Sequence, residues 1–160
     1  MRTINTIVLH CADTPPSMDI GVEEIRKWHI NERKWSDIGY NYVIRRSGVV
    51  ELGRDMDKDG VVLDEVGAHV FGHNSHCIGI CLVGGKGSKR DDPFLKNFTI
   101  YQSITAARLV NSIQVVMNKT MGVIGHHDLD THKECPGFNV PYWWNNNRIP
   151  LDVGVNKNDG

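Results

Sequence analysis

Two short runs of the chain, Thr6–Cys11 and residues 77–83, carry apolar side chains on both faces of an extended backbone. Side chains alternate along a strand, so Ile7 and Leu9 lie on one face and Val8 on the other, and neither face offers a solvated side. Both runs predict strands buried inside a layered fold, the second ended by Gly84-Gly85. The sequence also supplies a cover. Thr99-Ile100-Tyr101-Gln102 has the form of a capping box, and Ala106, Leu109, Val110, Ile113, Val116 and Met117 follow as an apolar stripe at helical spacing. This predicts the longest helix, lying across one sheet face.

The other elements are shorter. Val22, Ile25 and Trp28 or His29 set a helical period over residues 22–33, with Glu23 and Glu24 in the first turn, where the helix dipole favours acids. Residues 40–46 and 49–53 flank Ser47-Gly48 and predict a β-hairpin. Residues 123–126 predict a short strand, and residues 141–147 a short helix that Trp143 and Trp144 can anchor. The stretches 54–75 and 85–97 read as loops. Asp55, Asp57 and Asp59 resemble the start of a calcium loop, but Val66 stands where its closing glutamate is required. At 160 residues, with no internal repeat or linker, one hydrophobic core suffices. A single domain over residues 1–150 and a frayed tail over 151–160 are expected.

Charge and hydropathy exclude several classes. Lysines and arginines number 18 against 19 acids, for a net charge of -1, and no long basic run is available to neutralise a phosphate backbone. Nucleic acid is therefore not expected as the main partner. The apolar runs fall far short of the roughly 20 residues that cross a bilayer, so no membrane insertion is expected. The N-terminus has one early basic residue, Arg2, and reads as a strand by His10, unlike a signal peptide. Synthesis in the cytoplasm without signal-directed export is the expectation. The cysteines Cys11, Cys77, Cys81 and Cys135 are too few for a disulfide framework and fit a reducing compartment.

Histidines cluster, with His69, His73 and His76 in one stretch and His126, His127 and His132 in another. Cys77 and Cys81 are separated by about 13 Å along a strand, too far to share a zinc at about 2.3 Å per sulfur. They read, like Cys11, as small buried hydrophobes. Cys135 differs, because it lies in a polar loop just before Pro136-Gly137, which favours an extended conformation there. His10, His126 and Cys135 together would make a three-ligand zinc site with a fourth position open, the mark of a catalytic rather than a structural zinc. Spacing alone does not establish this, since no short chelate motif is present, and strand alternation does not choose between His126 and His127. Taken alone, His10 reads as structural, Tyr40 as a core aromatic and Lys133 as a solvated loop charge.

The runs Val8-Leu9-His10-Cys11, Gly21 to His29, Trp35-Ser36-Asp37-Ile38-Gly39-Tyr40, Gly67-Ala68-His69, Ser75 to Gly85 and Gly125 to Phe138 carry a resemblance over about Ile7 to Trp144. The chain resembles the zinc-dependent N-acetylmuramoyl-L-alanine amidases, particularly the small amidase-type lysozymes of T-odd coliphages, and more distantly the peptidoglycan-recognition proteins. The resemblance places the family's zinc ligands on His10, His126 and Cys135, its active-site tyrosine on Tyr40, its lysine on Lys133 and a substrate-side histidine on His69. The loop from His126 to Cys135 is one residue longer than in the phage relatives, which keeps His132 as an alternative to Lys133. His29 reads as packing beside Trp28, and no role transfers to His73 or His76.

The resemblance implies an α/β fold, a single domain with a central mixed β-sheet flanked by helices and one zinc in a surface groove, acting as a monomer. The implied reaction is zinc-dependent hydrolysis of the amide between N-acetylmuramic acid and L-alanine in peptidoglycan. Tyr40 and Lys133 would donate hydrogen bonds to the developing oxyanion or pass a proton to the leaving amine. Without a signal peptide, the wall would be reached only after release through an opened membrane. Two other readings stay open. One is a non-catalytic peptidoglycan-binding module of the same fold, which would lack the cysteine ligand or the tyrosine. The other is a structural zinc, closed by a fourth ligand such as His132 or Asp128.

Overall fold

The strand β1 (Thr6–Cys11) runs parallel between β4 (Cys77–Leu82) and β5 (Gly122–Gly125). The structure, a computed structural model, describes residues 2–148. The pairing register runs from Thr6 opposite Cys77 to Cys11 opposite Leu82, and from Thr6 opposite Gly122 to Leu9 opposite Gly125. β2 (Tyr42–Ile44) joins β4 in parallel, and β3 (Val50–Leu52) joins β2 antiparallel as the hairpin partner. The result is a mixed five-stranded sheet of order β3-β2-β4-β1-β5. It is the α/β arrangement the resemblance implied.

Both faces of the central strands are covered, as their apolar pattern demands. On one side Ile7, Leu9, Ile78, Ile80 and Leu82 pack with Ala106, Val110 and Ile113 of α3 (Ile100–Val116) and Trp143 of α5 (Val140–Asn147). On the other, Val43, Cys81 and Val83 pack with Val22 and Ile25 of α1 (Val22–Asn31), and Val8 and Cys77 pack with Val70 of the long loop. By strand alternation His10 shares this second face with Val8. The crevice forms there, at the carboxyl ends of parallel strands, where open α/β sheets characteristically place ligands.

Polar side chains tie the layers together. Thr99 caps α3 by accepting from the Gln102 N–H at 3.1 Å, while the Gln102 carboxamide accepts from Thr99 N–H at 3.0 Å. The same carboxamide, fully buried, donates to the carbonyls of Ile44 and Val83, fastening the helix to two strand ends. Trp143 Nε1 donates to Ser103 Oγ at 2.9 Å and anchors α5, as expected of it. Asn41, also fully buried, donates to the carbonyls of Val62 and Glu65 and accepts from Gly79 N–H, so the loop-rich stretch 54–75 is held to the sheet.

Several boundaries differ from the sequence reading. α1 stops at Asn31 rather than 33, because Lys34 takes a left-handed conformation and Trp35 N–H turns back to the His29 carbonyl. The hairpin strands are shorter than expected, though the turn falls at Ser47-Gly48, where Gly48 has φ +87°. β5 ends at Gly125, and His126 opens α4 (His126–Leu129), where the Asp128 carboxylate accepts from Gly125 N–H. The polar stretch 85–97 is not all loop, since it contains α2 (Phe94–Asn97). Phe94 stacks on Trp143 and meets Phe138 edge-on, and this burial organises the turn. The expected tail over 151–160 lies outside the described residues.

Candidate metal centre and its groove

His10 comes from β1, His126 from the first position of α4 and Cys135 from the loop beyond it, and their ligand atoms all lie within 4.8 Å of one another. His10 is 1% exposed, its Nδ1 3.8 Å from Cys135 Sγ and its ring 4.7 Å from that of His126. A nitrogen and a thiolate bound tetrahedrally to one zinc would lie roughly 3.6 Å apart, given bond lengths of about 2.0 and 2.3 Å. The observed spacing fits a metal of this kind. Among the described residues no fourth histidine, cysteine or acid joins the cluster.

The electrostatics suit a cation. Burial, reinforced by His69 and His126, holds His10 well below its ordinary pKa, and burial followed by the Lys133 charge lowers His126. Both imidazoles are thus neutral near pH 7 with a lone pair each. A hydrogen bond with the Cys11 thiol, then burial, pushes the Cys135 thiol well above its ordinary value. A metal binding there must displace that proton.

The residues beside the cluster lock the loop rather than add to it. His127 is turned away, and its backbone N–H donates to the Cys135 carbonyl at 2.8 Å, with its ring Nδ1 3.0 Å from the same oxygen. Asp128 accepts from Gly125 N–H at 2.7 Å. His132 is exposed and bonds back to Asp130. Cys11 N–H donates to Cys135 Sγ at 3.2 Å. Arg90 crosses to this loop, its guanidinium donating to the carbonyls of Thr131 and Lys133 at 2.9 Å each and its backbone N–H to Glu134. The roles of His127 and Arg90 escaped the sequence reading. No local pattern marks a contact that spans more than forty residues, as that of Arg90 to Thr131 and Lys133 does.

Tyr40 and Lys133 line the groove above the cluster together with His29, Arg33, Trp35 and His69. Tyr40 is half-buried, its ring 5.2 Å from His10. Burial, with the neighbouring cysteines Cys81, Cys135 and Cys11, raises its pKa well above the ordinary value, so its hydroxyl keeps its proton at neutral pH. Lys133 is exposed, and its ammonium makes no ion pair among the described residues. It also lines the groove's continuation past Phe71 and Leu129, whereas His132 lines neither part.

His29 does more than pack beside Trp28. Its Nδ1 accepts from Gly39 N–H at 2.9 Å, next to Tyr40, and burial brings its pKa down to about 4. His69 is buried, with Nδ1 2.9 Å from His10 Nε2, and it borders both parts of the groove. His73 and His76 line neither part. The carboxylates of Asp55, Asp57 and Asp59 also cluster, yet each accepts a backbone N–H of its own turn.

The profile of the N-acetylmuramoyl-L-alanine amidase family matches residues 1–138. The endolysin of Klebsiella phage KP32 is 41% identical over 143 residues, covering 89% of this chain and 87% of that one. The endolysin of Escherichia phage T7 is 38% identical over 150 residues, covering 92% and 90%. Among solved structures, the N-acetylmuramoyl-L-alanine amidase LysC of Clostridium intestinale superposes with a TM-score of 0.68 at 27% identity, covering 88% of this chain and 81% of that one.

Proposed function

The chain belongs to the N-acetylmuramoyl-L-alanine amidase family, and from that premise we propose that it works with one zinc ion held by His10, His126 and Cys135. Its reaction is hydrolysis of the amide between N-acetylmuramic acid and L-alanine in peptidoglycan. The convergence of two neutral imidazoles and a thiol at the floor of a groove carries the zinc reading. Zinc held by these residues would supply a Lewis acid and a nucleophilic water at neutral pH.

The remaining steps belong to side chains of the groove. Tyr40 keeps its proton and so can donate a hydrogen bond to the carbonyl oxygen as negative charge develops on it. Lys133, a cation without an ion pair, can stabilise the same oxygen or hand a proton to the nitrogen leaving with L-alanine. His69 forms the wall on the substrate's side. Nothing in the site favours a non-catalytic module or a structural zinc: Tyr40 and Cys135 are both in place, and neither His132 nor Asp128 joins the ligands.

In this reading the protein acts as a monomer at the wall; among the described residues no helix is long and apolar enough to cross a membrane. It is made in the cytoplasm and meets the wall after release, as an endolysin would. Purified walls test the chemistry: the zinc-loaded protein should release soluble stem peptides, the chelated protein should not, and restored zinc should revive release. Release untouched by chelation contradicts the zinc reading. Expression alone should be tolerated by host cells, and rapid lysis with no membrane-permeabilising factor contradicts the delivery reading.

A further inference from the structure

We propose that His69 is a positioning residue for the metal centre, fixing the His10 ring with Nε2 protonated and Nδ1 bare toward Cys135 and His126. The inference rests on the zinc reading above and deepens it. His10 offers two nitrogens with different neighbours: Nδ1 lies 3.8 Å from Cys135 Sγ, and Nε2 lies 2.9 Å from His69 Nδ1. A neutral imidazole carries one proton. Placing it on Nε2 makes that atom the donor, His69 Nδ1 the acceptor, and leaves the His10 lone pair facing the other ligands. The opposite placement would aim a proton into the cluster.

The surroundings of His69 hold its ring to this task. A Cβ on Gly67 or Gly79 would come within 2.5 or 2.6 Å of the ring, so the two glycines form a slot that any other residue would close. The His69 backbone N–H donates to Asn74 Oδ1 at 2.8 Å, which sets the ring's base, and the ring meets that of His10 edge-on with centroids 4.9 Å apart. With Nδ1 engaged as acceptor, the His69 proton sits on Nε2, which is buried without a hydrogen-bond partner among the described residues. An unpaired buried polar atom is costly, and an apolar side chain in the slot would avoid the cost. The bond from Nδ1 to His10 is what only a polar ring provides there.

Partners that orient a metal-bound histidine commonly contribute ten- to a hundredfold to metal affinity. The test measures zinc affinity by competition with a chromophoric chelator for the parent protein, His69→Ala and His69→Asn, whose short side-chain carbonyl can still accept from His10. Zinc affinity should fall on the order of tenfold to a hundredfold in His69→Ala and be largely restored in His69→Asn. The visible spectrum of the cobalt-substituted alanine variant should shift. In the parent protein, proton–nitrogen correlation of the His10 ring should report the proton on Nε2, a readout that stands even if the alanine variant fails to fold. A parental zinc affinity in His69→Ala would overturn the proposal, whatever the variant's KM for walls. A His10 proton on Nδ1 in the zinc-loaded parent would overturn it as well. A parent protein that binds no zinc would overturn both this proposal and the zinc reading beneath it.

Discussion

Replacing Tyr40 with phenylalanine removes one hydroxyl and leaves the ring, whose packing against His10 at 5.2 Å and His29 at 5.5 Å should survive. Because burial keeps that hydroxyl protonated, the substitution deletes a hydrogen-bond donor and no charge. A donor that acts on charge developing in the transition state should show in kcat more than in KM. Loss of one oxyanion donor commonly costs on the order of a hundredfold, about 3 kcal/mol. Tyr40→Phe and Lys133→Ala should each keep zinc and a folded domain, yet release stem peptides about a hundredfold more slowly. If both side chains serve the same oxygen, the double variant should fall short of the product of the two losses. His132→Ala should have a small effect, because the ring lies outside the groove against Asp130. The assay is the initial rate of stem-peptide release over a range of wall concentrations, with zinc content measured on each variant. A Tyr40→Phe protein within a fewfold of the parent, or altered only in KM, refutes the donor role. Normal turnover in Lys133→Ala with loss in His132→Ala moves the role to the histidine.

Two further expectations concern the groove's supports. His29 has its pKa lowered from 6.5 to about 4 in the folded chain, so the unfolded state takes up the proton first as pH falls. Its contribution is present above about pH 6.5 and is lost on the way down to about pH 4, up to roughly 3 kcal/mol in all. Urea unfolding over this window should show a shallower pH slope in His29→Gln than in the parent, and equal slopes would contradict the assignment. Arg90→Ala removes two hydrogen bonds to the Thr131 and Lys133 carbonyls and a half-exposed pairing with Glu134, so global stability should drop by only about 1 kcal/mol. Hydrogen exchange at residues 131–135 should nonetheless quicken, and unchanged exchange there would show that Arg90 does not hold the loop.

The elements that were legible in the sequence are those whose cause is local. The two-sided apolar runs became β1 and β4, and the Thr99-Gln102 capping box with its apolar stripe became α3, because alternation, capping and helical period are written in neighbouring residues. Boundaries set by distant partners were not legible. α2 exists because Phe94 stacks on Trp143, and β5 stops because the Asp128 carboxylate draws α4 back onto Gly125. The proposed ligands followed the same division. Cys77 and Cys81 could be dismissed as a chelate from strand spacing alone, and both are buried in β4. His10, His126 and Cys135 needed the family resemblance, since only the pairing of β1 with β5 brings the first two together. The bond from His69 to His10 was hidden for the same reason, as it joins residues far apart in the chain across the face of the sheet.

Zinc content, measured side by side on the parent protein, Cys135→Ala and Cys77→Ala after exhaustive dialysis, bears on every step of the proposed chemistry. The parent should hold one zinc per chain, Cys135→Ala should lose most of it, and Cys77→Ala should keep it, because Cys77 is buried in β4 outside the cluster. Stoichiometric zinc in Cys135→Ala, with zinc abolished in Cys77→Ala, would show that the metal is held elsewhere and that the groove has been misread.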